Sequence, residues 1–178
     1  SVGLGTGSRA WPTEETAAVA PKLPWAELHD IPIAAVTGTN GKTTTCFLID
    51  SILAAAGRHG GLFGTIVHRT PAQTRPAVTT TPESLELQKF FAEVAPISDS
   101  YAVLEASSHA LAQERFFNDT ATTEIYTNLT RDHLDFHQTF ENYFAAKRRL
   151  FEGMGAGAPA AGIVNMDDPY GMQLAGLA

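Results

Sequence analysis

The chain has 178 residues, 44% hydrophobic and 17% charged, which is enough to bury one domain core and too apolar for a disordered segment. Twelve basic against nineteen acidic residues leave −7, which excludes a surface built to hold a phosphate backbone, so no nucleic-acid partner is expected. Cys46 is the one cysteine, which rules out an internal disulfide and suits a reducing compartment; without a membrane-length apolar run or a signal peptide, a cytoplasmic monomer is expected.

Residues 1–30 are rich in Gly, Pro and Thr and carry no sustained period, so they read as a linker or the remnant of an N-terminal region. Their "GLGTG" is similar to a dinucleotide loop, but no strand precedes it and no amphipathic helix follows. From residue 31 the texture changes. "IPIAAVTG" predicts a short buried strand, and "KTTTCFLIDSILAAAG" a helix ending at Gly57. "GGLFGTIVHR" reads as a second strand. "TPESLELQKFFAEVA" reads as a helix capped by Thr81 with Pro82 at its first position. "SYAVLEASSHAL" is a strand running into a loop, "FENYFAAKRRLFEGM" a helix with one buried face, and "AAGIVNMDDP" a last strand and turn. This alternation predicts an α/β, three-layer, Rossmann-like domain with a mostly parallel sheet flanked by helices.

The chemistry starts at "TGTNGKTT", between the first strand and its helix. The usual G-x-x-x-x-G-K-[ST] phosphate loop would need glycine where Val36 stands, so this is a shorter form. Gly38 and Gly41 let backbone N–H groups approach a phosphate, and the helix N-terminus adds partial positive charge. Lys42 would reach the β- and γ-phosphates, and the Thr43 hydroxyl would bind Mg²⁺. Mononucleotide binding follows from that context. Glu105 stands where an apolar strand leaves the sheet, and a carboxylate there can hold the same Mg²⁺. In "TNLTRDHLDFH", His133 and His137 are spaced like zinc ligands, but no glutamate base lies between them, so His133 facing a phosphate-bound metal fits better than a zinc hydrolase. Lys147 on its own reads as an ordinary solvated helix lysine.

Taken together, "TGTNGKTT", "TTTPESLELQ", "LEASSHAL", "TNLTRDHLDFH", "ENYFAAKRRLF" and "VNMDDP" resemble, in order and spacing, the Mur ligase family of ATP-dependent amide-forming enzymes of peptidoglycan synthesis. The resemblance spans about residues 33–172, so residues 31–178 are expected to be the central ATP-binding domain, with its C-terminal part and a C-terminal domain missing. It implies that Gly38, Thr39, Asn40, Gly41, Lys42, Thr43 and Thr44 hold the ATP phosphates and that Asn165 serves the adenine or ribose. Thr43, Glu105, His133 and Lys147 would surround magnesium, Lys147 as a carbamate. Lys42, Lys147 and His133 would be the catalytic set. Thr79, Thr80, Thr81, Ser107, Gln113 and Arg115 would contact UDP-N-acetylmuramoyl-L-alanyl-D-glutamate, to which an amino acid is joined through an acyl phosphate.

Other readings remain open at this level: a cyanophycin-synthetase-like or folylpolyglutamate-synthetase-like ligase, or a nucleotide-binding module without ligase activity. A GTPase would need an N-K-x-D motif, which is absent. The family carries further domains on both sides, so this fragment is expected to bind ATP weakly without turnover. One stretch departs from the pattern. "NDTATTEIYT", residues 118–127, is polar where a buried apolar strand should precede Asn128. It also looks like the translation of a common sequencing-adapter oligonucleotide; if it is an assembly artefact, the residues are not native and the core there is weakened, although the Ile125-Tyr126-Thr127 end can pair as a strand.

Overall fold

The computed structural model describes residues 31–116, 122–153 and 158–177; the expected linker at 1–30 lies outside them. Strands β1 (Ile33–Thr37), β2 (His59–Phe63), β3 (Val67–Arg69), β4 (Thr74–Pro76), β5 (Ser100–Glu105), β6 (Thr123–Tyr126) and β7 (Ala161–Val164) form one sheet in the order β4-β3-β2-β5-β1-β6-β7. Along that order, the five strands from β2 to β7 pair in parallel, and β3 and β4 extend the sheet antiparallel. Helices are α1 (Lys42–Ala55), α2 (Ser84–Val94), α3 (Ser108–Ala112), α4 (Leu134–His137), α5 (Phe140–Phe151) and α6 (Pro169–Ala175).

Parallel strands must be covered on both faces, and the central ones are apolar throughout. β5 is buried at all six positions. Side chains alternate between the faces of a strand, so each strand feeds two cores. Ile33, Ala35, Ala102 and Leu104 pack with α2, α3, α5 and α6, whereas Val36, Tyr101 and Val103 pack against the α1 side through Cys46, Phe47 and Leu53. This is the expected three-layer α/β arrangement.

Two sequence expectations are corrected. "GGLFGTIVHR" is not one strand: the chain turns at Gly64-Thr65-Ile66, and β2 and β3 form a hairpin closed by the Gly64 N–H on the Val67 carbonyl at 3.2 Å. Helix α2 does not take Thr81 as its cap. Glu83 caps it without a side-chain bond, because the Thr81 hydroxyl is drawn away to the Glu105 carbonyl at 2.6 Å.

The polar "TTEIY" stretch does pair, parallel to both β1 and β7. Tyr126 faces the core, and Glu124, two residues earlier, faces the same way. Glu124 is 2% exposed and its Oε2 has no hydrogen-bond partner among the described residues. Burial pushes its carboxyl up from 4.5 to about 8. Between those values the unfolded chain is ionised while the folded chain keeps its proton, so stability is full below about pH 4.5 and falls as pH rises toward 8. Glu124→Val is expected to stabilise the fold by about 1–3 kcal/mol at neutral pH, the usual cost of a buried unpaired polar group. Urea titrations at pH 5, 7 and 8.5 check this. An unchanged midpoint at pH 7, or a variant that keeps the wild-type slope with pH, would contradict it.

Candidate active site

The carboxyl ends of β1, β5 and β6 lie side by side, where ligands bind in open parallel sheets. After β1 the chain runs through Gly38–Gly41 into α1. Gly38 has φ +144°, and a Cβ there would run into the Thr127 hydroxyl. Gly41, at φ +85°, is the N-cap of α1 and leaves the helix N-terminus open, with no side chain bonded across it.

The segment after β6 braces this loop. Asn128 accepts from the Thr39 N–H through its carbonyl (2.8 Å) and from the Asn40 N–H through Oδ1 (3.0 Å). The Thr127 hydroxyl donates to the Asn40 carbonyl at 2.7 Å, and the Thr130 N–H donates to Thr39 Oγ1 at 2.9 Å. Sequence reasoning does not single out Thr127, Asn128 and Thr130 individually; only their place in "TNLT", within the motif set, points to them. Asn165, after β7, donates to the Thr127 carbonyl at 2.9 Å and so stands behind the same loop.

Two lysines converge on one carbonyl. Lys42 Nζ donates to the Gly38 and Thr39 carbonyls at 3.0 and 2.9 Å, and Lys147 Nζ donates to the Gly38 carbonyl at 2.8 Å. Lys147 is not the solvated lysine its helix position alone suggests: it is 1% exposed, with its Nζ 4.7 Å from the Tyr143 ring centroid. Burial, reinforced by the Lys42 charge, holds its pKa well below the usual lysine value. Burial also lowers Lys42, against the opposing pull of Glu105 and Asp132.

Glu105 is 1% exposed at the end of β5 and registers with Val36 of β1. Its carboxylate accepts from Thr65, a residue that carries no signal in the sequence. The Thr65 N–H donates to Oε1 at 2.9 Å and the Thr65 hydroxyl to Oε2 at 3.0 Å. His133 is exposed, at φ +51°, with Nε2 3.5 Å from Asp132; its ring lies 6.0 Å from Tyr143, which also bonds Thr39 at 3.1 Å. His137 instead points inward and bonds Ser108 Oγ at 2.9 Å, so the two histidines do not form a zinc pair. Among the described residues, no group of three or more His, Cys, Asp or Glu could hold a metal ion. A hard cation that keeps its waters and takes phosphate oxygens needs few such ligands. The Glu105 carboxylate, with lone pairs left after Thr65, and the Thr43 hydroxyl in the first turn of α1 are oxygen donors that fit one.

The six residues expected at the dipeptide form one cluster. Arg115 donates to the Thr81 carbonyl at 2.7 Å and to Gln113 Oε1 at 2.7 Å, and the Ser107 N–H donates to Thr81 Oγ1 at 3.0 Å. Thr81 is 3% exposed and spends its hydroxyl inside the protein. Thr79 and Thr80 remain accessible beside it, with the Thr79 carbonyl held by His68 Nε2 at 3.1 Å.

A family model described as the Mur ligase middle domain matches residues 36–178. The chain belongs to the Mur ligase family. It is 46% identical over 142 residues to the UDP-N-acetylmuramoyl-L-alanyl-D-glutamate–2,6-diaminopimelate ligase of Solibacter usitatus, covering 80% of this chain and 29% of that protein. The corresponding ligase of Clostridium perfringens is 48% identical over 142 residues, with 80% and 28% covered. A solved structure of such a diaminopimelate ligase superposes with a TM-score of 0.70 at 33% identity, over 83% of this chain and 29% of the other. A pseudomurein peptide ligase type C from Methanothermus fervidus, at 23% identity and a TM-score of 0.59, shares the fold. The chain thus spans under a third of the length of these relatives. Neighbours in this family bind ATP or ADP, and no described helix is long and apolar enough to cross a membrane.

Proposed function

We propose that this domain is the ATP site of a cytoplasmic, ADP-forming ligase that joins an amino acid to UDP-N-acetylmuramoyl-L-alanyl-D-glutamate. The observation that carries the reading is the meeting of Lys42 and Lys147 on the Gly38 carbonyl, one strand away from the buried Glu105 carboxylate. Within Gly38–Thr44, the N–H groups at the open α1 N-terminus would bind the phosphates, since those of Thr39 and Asn40 are held by Asn128 and shape the loop, and Asn165 would serve the nucleoside. Glu105, Thr43, His133 and a carbamate on Lys147 would hold Mg²⁺, which when bound would neutralise charge on the transferring phosphoryl group. Lys42 would stabilise the same charge from the protein side. Thr79, Thr80, Ser107, Gln113 and Arg115 would orient the dipeptide so that its carboxylate attacks the γ-phosphate, giving an acyl phosphate and ADP. The incoming amine would then displace phosphate. No covalent enzyme intermediate is needed.

The names of the relatives make 2,6-diaminopimelate the amine to try first. Phosphate release by the full-length protein is expected only when ATP, the UDP-muramoyl dipeptide and the amino acid are all present. Release that ignores the last two would support a nucleotide-hydrolysing module instead.

A further inference from the structure

The turn between β2 and β3, which the sequence alone suggests is the interior of a strand, lies directly against Glu105. A Cβ at Gly64 would collide with Glu105 Oε1, so glycine here is what lets the turn backbone close on the carboxylate. The next residue, Thr65, bonds both carboxylate oxygens, with its N–H on Oε1 and its hydroxyl on Oε2.

Counting protons gives this chain of hydrogen bonds a direction. The Thr65 hydroxyl donates to Glu105 Oε2, so its single proton is committed there. Thr65 Oγ1 also lies 3.1 Å from Thr80 Oγ1. Having no second proton, Thr65 must accept there and Thr80 must donate. The order is therefore Thr80 to Thr65 to Glu105, running from the exposed threonine loop to the buried carboxylate. Thr80 keeps lone pairs on its outer side, so what it can offer a ligand is an acceptor. Glu105 keeps one unused lone-pair direction on each oxygen for a cation.

We propose that Thr65 is a positioning residue: it orients Glu105 for a divalent cation and, through Thr80, ties that orientation to the loop of Thr79–Thr81. This rests on the ligase reading above for the cation beside the nucleotide. Groups that hold a metal-binding carboxylate commonly contribute about 10–100-fold to metal affinity.

The test measures binding of a non-hydrolysable ATP analogue to the full-length protein, in EDTA and across a Mg²⁺ titration. Thr65→Val, nearly isosteric but without the hydroxyl, is expected to leave affinity in EDTA unchanged and to weaken the Mg²⁺-dependent gain by about tenfold. Thr65→Ser should restore the gain. Thr80→Val should lower it less, and should add nothing in the Thr65→Val background. If Thr65→Val does not fold, as judged by its melting transition, Thr65→Ala takes its place against Thr65→Ser. A Mg²⁺ gain equal to wild type in the hydroxyl-less variant would overturn the proposal. So would a Thr65→Ser variant as impaired as Thr65→Val, since the methyl rather than the hydroxyl would then matter. A wild-type protein that binds no nucleotide under either condition would instead overturn the ligase reading, and the inference with it.

Discussion

Lys42→Met is expected to lower ATP-dependent phosphate release by about 10²–10³-fold, roughly 3–4 kcal/mol of transition-state stabilisation. Lys42 opens α1, and its side chain folds back over the loop to the Gly38 and Thr39 carbonyls. That places an ammonium over the loop that would cradle the phosphates. Burial lowers the Lys42 pKa, but Glu105 and Asp132 oppose the shift, so the group is partly desolvated and still compensated by negative charge. A cation in that setting interacts more strongly with charge developing on a phosphoryl group than it would in water. Methionine keeps the length and helix propensity of lysine, so α1 should persist. The loss should therefore fall mainly on kcat, with a smaller change in nucleotide affinity and little change in melting temperature. Steady-state kinetics with a melting curve decide it, and a loss of less than tenfold in kcat would remove Lys42 from the proposed catalytic set.

The second large effect is expected at Lys147. Lys147→Met should reduce ligation by about 100-fold while leaving affinity for metal-free nucleotide within about threefold. The side chain is fully buried on α5, donates to the Gly38 carbonyl, and lies over Tyr143. Burial and the Lys42 charge both disfavour its ammonium form. A neutral amine is what adds to CO₂: its lone pair forms the N–C bond and a proton leaves, giving a carbamate. The product is an oxygen ligand, which an ammonium cannot be. In the full-length protein, ¹³C-labelled bicarbonate should give a carbamate NMR signal that Lys147→Met abolishes. If the variant keeps full activity, or the wild type shows no signal while active, the carbamate assignment fails.

Lys147 also makes a stability statement that is independent of turnover. Its folded pKa is depressed, so between that value and 10.5 the unfolded chain holds a proton that the folded chain lacks. Stability from this group therefore rises with pH across that window. Lys147→Met should lose that rise and be no less stable than wild type at neutral pH. The slope is opposite in sign to that of Glu124, so the two substitutions separate the contributions.

Much of the phosphate site was legible in the sequence because its signals are local. "TGTNGKTT" lies between an apolar strand and a helix-forming run, and a loop of that kind positions its own N–H groups. The emergence of Glu105 from a fully buried strand was legible for the same reason, since an apolar run ending in a carboxylate marks a strand end. The hairpin at Gly64-Thr65-Ile66 was not legible. Its flanks are both strand-like, and the reversal depends on where Val67–Arg69 finds a pairing partner. Thr81 misled in the opposite direction. It precedes a proline and a helix, as a cap would, but a stronger partner at Glu105 became available only through folding.

By itself, then, the sequence determined the α/β class, the phosphate loop with its lysine, and a set of motifs matching one ligase family. The class and the loop come from periodicity, glycine placement and short spacings, which act within a few residues, whereas the family match is a resemblance of motifs. Only the tertiary structure decided that Lys147 reaches Gly38 across 109 positions of chain, that Thr65 holds Glu105 across 40, and that Glu124 Oε2 is buried with no partner among the described residues. A hydrogen bond or a desolvated charge depends on what lies next to a group in space, and strand order sets that neighbourhood. The same Lys147 that reads from its own helix as a solvated lysine becomes a buried amine once α5 packs against the sheet beneath the phosphate loop.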